Sequence, residues 1–186
     1  TTTLNAVIHL CKRAGSTVLL AAPTGRAAKR MTELTGCEAK TIHRLLGTDY
    51  DEYGQLIFQH NENSPLRADV IIIDEVSMVD TLLFEGLLRA ARLSCRIILV
   101  GDEDQLPSVG AGHLLHTLIA CGRLPVVRLT EIFRQAQESC IVRSAHAIVN
   151  GKMPDLTDKN SDFFFIAAPP YSMTSTRRHP TCHDDT

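Results

Sequence analysis

The chain has 186 residues, 44% of them hydrophobic, and a formal net charge of −2. That length suits one globular domain, or one domain and the beginning of another. The charge balance excludes a globally basic nucleic-acid binder, so such a partner would need a local basic face, and the lack of an 18-residue apolar run excludes a transmembrane helix.

The opening TTTLNAVIHLCKRAG is not a signal peptide, because Lys12 and Arg13 fall at its wrong end. It predicts a helix over 2–14, ended at Gly15. TVLLAA (17–22) predicts a strand, and a Pro-Thr-Gly turn then leads into a helix over 25–35, with Thr24 as its cap and Gly36 beyond it. A short helix follows over 41–46. Residues 48–65, TDYDEYGQLIFQHNENSP, break the pattern. QLIF followed by polar QHNENSP suits one arm and the tip of a β-hairpin, and an irregular surface loop fits equally well.

Strand and helix then alternate again: DVIIID (69–74), a helix over 79–92, CRIILVG (95–101), a helix over 112–122, PVVRL (125–129) and a helix over 139–150. Short, unbroken apolar runs suit strands buried on both faces, as in a parallel sheet. The alternation predicts an α/β sheet with helices on both faces. Beyond 151 the character changes. DFFFIA (162–167) is one further strand candidate, and residues 167–186, rich in Pro, Ser and Thr, predict a disordered tail.

The six cysteines stand singly at 11, 37, 95, 121, 140 and 182, with no CxxC. This fits a reducing cytoplasm rather than a disulfide scaffold. His179, Cys182 and His183 are potential ligands, but structural zinc sites gather four spaced ligands, so the bland reading of a tail is preferred.

VIIIDEVSMVD (70–80) ends a buried strand with two adjacent, mutually repelling acids. Ligands sit at the carboxyl ends of strands in open parallel sheets. Successive strand side chains diverge, so Asp74 can hold magnesium through water while Glu75 orients or deprotonates an attacking water. A bound cation would relieve the repulsion. A DE pair can equally just end a strand and begin a turn.

The next strand, in RIILVGDEDQLPSVGAG (96–112), runs out into a loop that reaches Gln105. Its amide can donate to a phosphate oxygen and accept from water at once; a flexible polar loop is the alternative. In LLAAPTGRAAKRM (19–31), free amides at a helix start attract anions. Arg26, Lys29 and Arg30 share a helical face, turned either to phosphate or to solvent. GxxxxGK[ST] is absent, so this is no complete P-loop. No GxGxxG follows a strand and Gly25 is isolated, which excludes a dinucleotide-dependent oxidoreductase.

APTGRAAKRM, TIHRLLG, VIIIDEVSMVD, LVGDEDQLPSVGAG and LTEIFRQ occur in this order over residues 1–153. Together they resemble superfamily 1 DNA helicases of the RecD-like group, the exonuclease V alpha-subunit type. The resemblance implies a RecA-like P-loop NTPase fold, ATP and Mg2+ as cofactors, single-stranded DNA as partner, and other subunits of a helicase–nuclease complex as further partners. It implies a first RecA-like domain over 1–124, with a strand-parting hairpin insertion at 48–65, the start of a second over 125–166, and the tail at 167–186.

The same resemblance assigns roles. Asp74 and Glu75 match the magnesium-binding and water-activating acids, Gln105 the γ-phosphate sensor, and Arg134 the arginine reaching the γ-phosphate from the second domain. Thr1 matches the magnesium-binding threonine. Pro23, Thr24, Arg26, Thr41 and His43 match stretches that touch single-stranded DNA; capping or packing serves His43 as well. The phosphate-loop lysine and glycines are not in this sequence. The expectation is a fragment that hydrolyses no ATP alone and lacks the P-loop strand, which would lie between the strands at 95–101 and 125–129. Those two strands would then flank a gap or close up, and the apolar helix 139–150 would lack partners. A non-catalytic helicase-like module that binds DNA or protein, or the helicase part of a conjugative relaxase, are the competing readings.

Overall fold

The computed structural model describes residues 2–129, 139–154 and 162–163. The chain divides into two compact units, residues 1–128 and 129–186.

In the first unit the elements are α1 (Thr2–Arg13), β1 (Val18–Ala22), α2 (Gly25–Thr35), β2 (Ala39–Thr41), α3 (Ile42–Leu46), β3 (Thr48–Tyr50), β4 (Leu56–Phe58), β5 (Val70–Ile73), a 3-10 turn (Val76–Met78), α4 (Thr81–Ala90), β6 (Arg96–Leu99) and α5 (Leu114–Ala120). Four strands form one parallel sheet in the order β2-β1-β5-β6, and β3 and β4 form a separate antiparallel hairpin.

The period-2 geometry of a strand explains the unbroken apolar runs. Leu20, Val70 and Ile72 face Leu4 and Ile8 of α1 and Met31 of α2. Ala21, Ile71 and Ile73 face the opposite way, into Ile42, Leu45 and Leu46 of α3 and Leu83, Leu87 and Ala90 of α4. Both faces are covered, so neighbouring isoleucines 71, 72 and 73 are all buried. Each contributes about 1.5–3 kcal/mol of burial. The fold is the RecA-like α/β sheet that the motifs imply.

Caps set the helix ends. The Thr24 hydroxyl accepts from the Ala27 amide at 3.2 Å, and Gly36 closes α2 in the left-handed region at φ 65°. Asp80 caps α4 by accepting from the Leu83 amide at 2.8 Å.

Three expectations need correction. No strand forms over 125–129; Val126, Val127 and Leu129 are exposed there, and a strand needs a neighbour to take its backbone hydrogen bonds. The expected flanking pair is therefore absent, and β6 pairs with β5 alone among the described residues. The hairpin exists, but QLIF supplies its second arm: the tip lies at 51–55, where the Asp51 carboxylate accepts from the amides of Tyr53 and Gln55, and QHNENSP follows the hairpin. The strand β2 was not expected, since its three residues carry a lysine and a threonine and pair only at the sheet's edge.

In the second unit the one described helix is α6 (Cys140–Val149). Ser139 caps it and donates to the Asp162 carboxylate, which also accepts from the Cys140 amide at 2.7 Å. The Ser139 hydroxyl holds the Asp162 carboxyl below the usual range. Ile141, Ile148 and Val149 are exposed. Of DFFFIA, only 162–163 are described, so the strand expected there, the tail and its His179, Cys182 and His183 lie outside the described residues. The five described cysteines are free thiols, and burial pushes the Cys95 thiol up. No described helix is long and apolar enough to cross a membrane.

Candidate functional site

All four parallel strands end on one side of the sheet, and Asp74, Pro23 and Thr41 stand at or just beyond those ends. At β5 the ladder continues one residue beyond the strand, with the Asp74 amide donating to the Ala21 carbonyl at 3.0 Å. The chain then breaks direction. Glu75 adopts φ 55° and ψ 42°, the left-handed region, and is the one described non-glycine residue with positive φ. Such a conformation costs about 1–3 kcal/mol and persists only where surroundings enforce it. Here the enforcing contacts are the Glu75 amide donating to Asp74 Oδ1 at 2.9 Å and the Val76 amide donating to the Val100 carbonyl at 3.0 Å. Both acids are half-buried.

Asp74 and Glu75 line a cavity of about 200 Å³, together with Leu4 of α1, Arg30 and Thr35 of α2, and Val100. Arg30 was noted in the sequence only as part of a basic helical face. That face's edge reaches the cavity of the acids only because α2 packs on β1 and β2, next to β5 in the sheet. Its neighbour Lys29 instead pairs with Glu33 at 3.8 Å, both exposed.

Gln105 is exposed and does not line this cavity. Its Nε2 lies 3.5 Å from Asp102 Oδ2, and its amide donates to the Asp102 carbonyl at 3.3 Å. The loop that carries it leaves β6, the immediate neighbour of β5, so it starts beside the acids. Gly101 permits that closeness: a Cβ there would stand 3.2 Å from the Val76 nitrogen. The far half of the loop is fixed on α4. Thr81 donates to the Ala111 carbonyl through both its amide, at 3.3 Å, and its hydroxyl, at 3.0 Å. A Cβ on Gly110 would stand 2.6 Å from Asp80 Cβ. Glu103 pairs with Arg128, whose hydrogen bond holds the Glu103 carboxyl below its usual range.

The stretches with Pro23, Thr24, Arg26, Thr41 and His43 come together. Ala22 and Thr41 are register partners at the ends of β1 and β2, so the PTGR turn and the TIH turn emerge side by side. The Thr24 and Thr41 hydroxyls each accept from a helix amide, Ala27 and Arg44, and keep a proton to donate. Arg26 and His43 are exposed, as is Arg44 beside them. Thr1 and Arg134 lie outside the described residues.

Among the described residues no group of three or more His, Cys, Asp or Glu could hold a metal ion. Magnesium differs, since it takes one or two carboxylates and completes its shell with water and phosphate. Asp74 fits that demand: one oxygen is engaged by the Glu75 amide and the other has no protein hydrogen bond among the described residues.

A family model described as an AAA domain matches residues 1–166. The ATP-dependent RecD2 DNA helicase of Deinococcus radiodurans is 44% identical over 158 residues, covering 85% of this chain and 21% of that protein. The RecBCD enzyme subunit RecD of Mycolicibacterium smegmatis is 42% identical over 118 residues, covering 55% and 21%. The chain thus spans about a fifth of the length of these relatives. Among solved structures, Bacteroides Pif1 bound to single-stranded DNA matches with a TM-score of 0.50 and 22% identity, covering 78% of this chain and 39% of that one, a likeness of fold.

Proposed function

We propose that this chain, which belongs to the AAA domain family, forms most of the first motor domain of an ATP-dependent DNA helicase that moves on single-stranded DNA in recombination or repair. The observation that carries the proposal is the shared sheet edge: the acid turn at the end of β5 is one strand away from the paired turns at the ends of β1 and β2. A motor needs that adjacency, because hydrolysis at one place must alter grip at another.

In this reading Asp74, with Thr1, would hold magnesium beside the triphosphate of ATP, and the ion when bound would neutralise charge on the phosphate oxygens. Glu75 orients the attacking water and takes its proton. Its left-handed backbone fixes where the side chain leaves the main chain. Gln105 senses the terminal phosphate, and Arg134 stabilises charge developing on the transferred group. Pro23, Thr24, Arg26, Thr41 and His43 hold the DNA backbone. The hairpin of β3 and β4 meets the duplex and parts its strands. We assign 1–124 to the first motor domain, 125–166 to the start of the second and 167–186 to a tail, and place the protein in the cytoplasm, where it would work with other subunits of a helicase–nuclease complex.

The test is Glu75→Gln in the full-length protein. DNA-stimulated ATP turnover should fall at least 100-fold while nucleotide binding persists. Turnover at the parental rate would sink the assignment.

A further inference from the structure

The helix α4 joins two regions that the proposed function treats separately. Its N-terminus is held by the loop that carries Gln105, through Thr81 on the Ala111 carbonyl and Gly110 packed on Asp80. Its second half carries the hairpin. Gly86 lies in the helix interior, where glycine is a poor helix former. The reason is Phe58, the last residue of β4, whose ring lies across the helix backbone. A Cβ on Gly86 would stand 2.5 Å from Cε2 and 2.7 Å from Cδ2 of that ring.

Further contacts fasten the chain that returns from the hairpin to the same end of α4. Arg89, which lies 2.9 Å from Glu85 of the same helix, reaches Glu62 of the returning chain at 3.3 Å. The Leu66 amide donates to the Ala90 carbonyl at 2.8 Å. The other end of the hairpin is open: Tyr50 and Tyr53 are 69% and 85% exposed. The hairpin therefore has a free tip and a packed seat. The whole helix is about 15 Å long, with about 7.5 Å between Thr81 and Gly86, and its internal hydrogen bonds make it stiffer than either region it joins.

We propose that Phe58 and Gly86 are positioning residues that seat the hairpin on α4, so that the hairpin and the Gln105 loop shift together when nucleotide binds. The inference rests on the helicase reading above, in which Gln105 meets phosphate and the hairpin meets duplex. Neither Phe58 nor Gly86 touches nucleotide or DNA in that reading. Their role is to transmit position.

The test uses the full-length protein with Gly86→Ala, Phe58→Leu and the two combined. The added methyl of Gly86→Ala must push the Phe58 ring away, and leucine at 58 leaves it room. Gly86→Ala should slow unwinding of a forked duplex at least tenfold, with kcat and KM for single-strand-stimulated ATP turnover within twofold of the parent. The combined variant should recover unwinding to within threefold. Amide exchange is read in parallel, with and without a non-hydrolysable ATP analogue and magnesium. In the parent the analogue should alter exchange over both 101–113 and 56–62; in Gly86→Ala the change should be confined to 101–113.

Unwinding at the parental rate in Gly86→Ala overturns the proposal. So does ATP turnover that falls in step with unwinding, which marks general loss of structure. An analogue effect confined to 101–113 in the parent also overturns it. If the parent hydrolyses no ATP on single-stranded DNA, the helicase reading fails separately. The seat is still read by exchange at 48–50 and 56–58, which Gly86→Ala should speed; unchanged exchange there removes the seat.

Discussion

The amide of Val76 donates to the carbonyl of Val100 at 3.0 Å, joining the turn that bears the acids to the strand whose loop bears Gln105. Neither residue carries chemistry. Their bond spans the point where β5 and β6 end, and it holds Glu75 in a backbone conformation that glycine would adopt more readily.

That strain yields a first prediction. Glu75→Gly should be no less stable than the parent and up to about 1 kcal/mol more stable, since relief of left-handed strain offsets the entropy glycine loses on folding. Glu75→Val should lose about 1–2 kcal/mol, because a β-branched residue fits that region worst. Denaturant midpoints at constant slope measure both. A Glu75→Val midpoint equal to the parent's would show that the backbone there is not left-handed.

Opposite faces of β5 give a second. Ile71→Ala and Ile72→Ala remove equally buried side chains, each at about 2–5 kcal/mol. Ile71 packs toward α3 and α4, and Ile72 toward α1 and α2. Amide exchange should therefore speed first in α3 and α4 for one variant and in α1 and α2 for the other. Identical exchange patterns would contradict the two-sided sheet.

The strands most legible in the sequence were those with four or five consecutive apolar residues, at 18–22 and 70–73, because burial on both faces writes itself into composition; 96–99 carries three such residues after Arg96 and is only half-buried. The strand candidate at 125–129, PVVRL, has only two consecutive apolar residues between a proline and an arginine, and it failed, since pairing depends on a neighbour that composition does not record. Capping at Thr24 and Gly36 was legible because it is local chemistry. Arg30 at the cavity and Gly86 beneath Phe58 were not. Both are consequences of tertiary packing between segments far apart in the chain. The acid pair was visible as a motif, whereas the left-handed turn at Glu75 needed coordinates.

The Glu103–Arg128 pair gives a pH prediction. The arginine lowers the Glu103 carboxyl below its usual value, so the pair's contribution is complete above the ordinary glutamate pKa and is lost as pH falls through the lowered value. Arg128→Ala should loosen the 101–113 loop at neutral pH and make no difference once Glu103 is protonated in both proteins. Salt should shrink the neutral-pH difference, since Arg128 is solvent-exposed. Loop amide exchange across a pH series reads it, corrected for intrinsic rates; a difference that survives full protonation would rule out the ion pair as its source.

The paired turns at the ends of β1 and β2 separate two kinds of contribution. Arg26 is exposed and makes no ion pair among the described residues, so Arg26→Ala should leave stability within about 0.5 kcal/mol of the parent. If it meets a phosphate, the same change weakens single-strand binding uniformly across sequences and lowers the magnitude of the salt slope by about 0.7. Thr24 caps α2, so Thr24→Ala should cost about 0.5–2 kcal/mol of stability, and Thr24→Ser should restore most of it. Salt titrations of binding to a labelled oligonucleotide, set beside denaturant midpoints, distinguish the two. Should Arg26→Ala leave the salt slope unchanged, the basic edge of α2 faces solvent, and the DNA path must run elsewhere along the sheet.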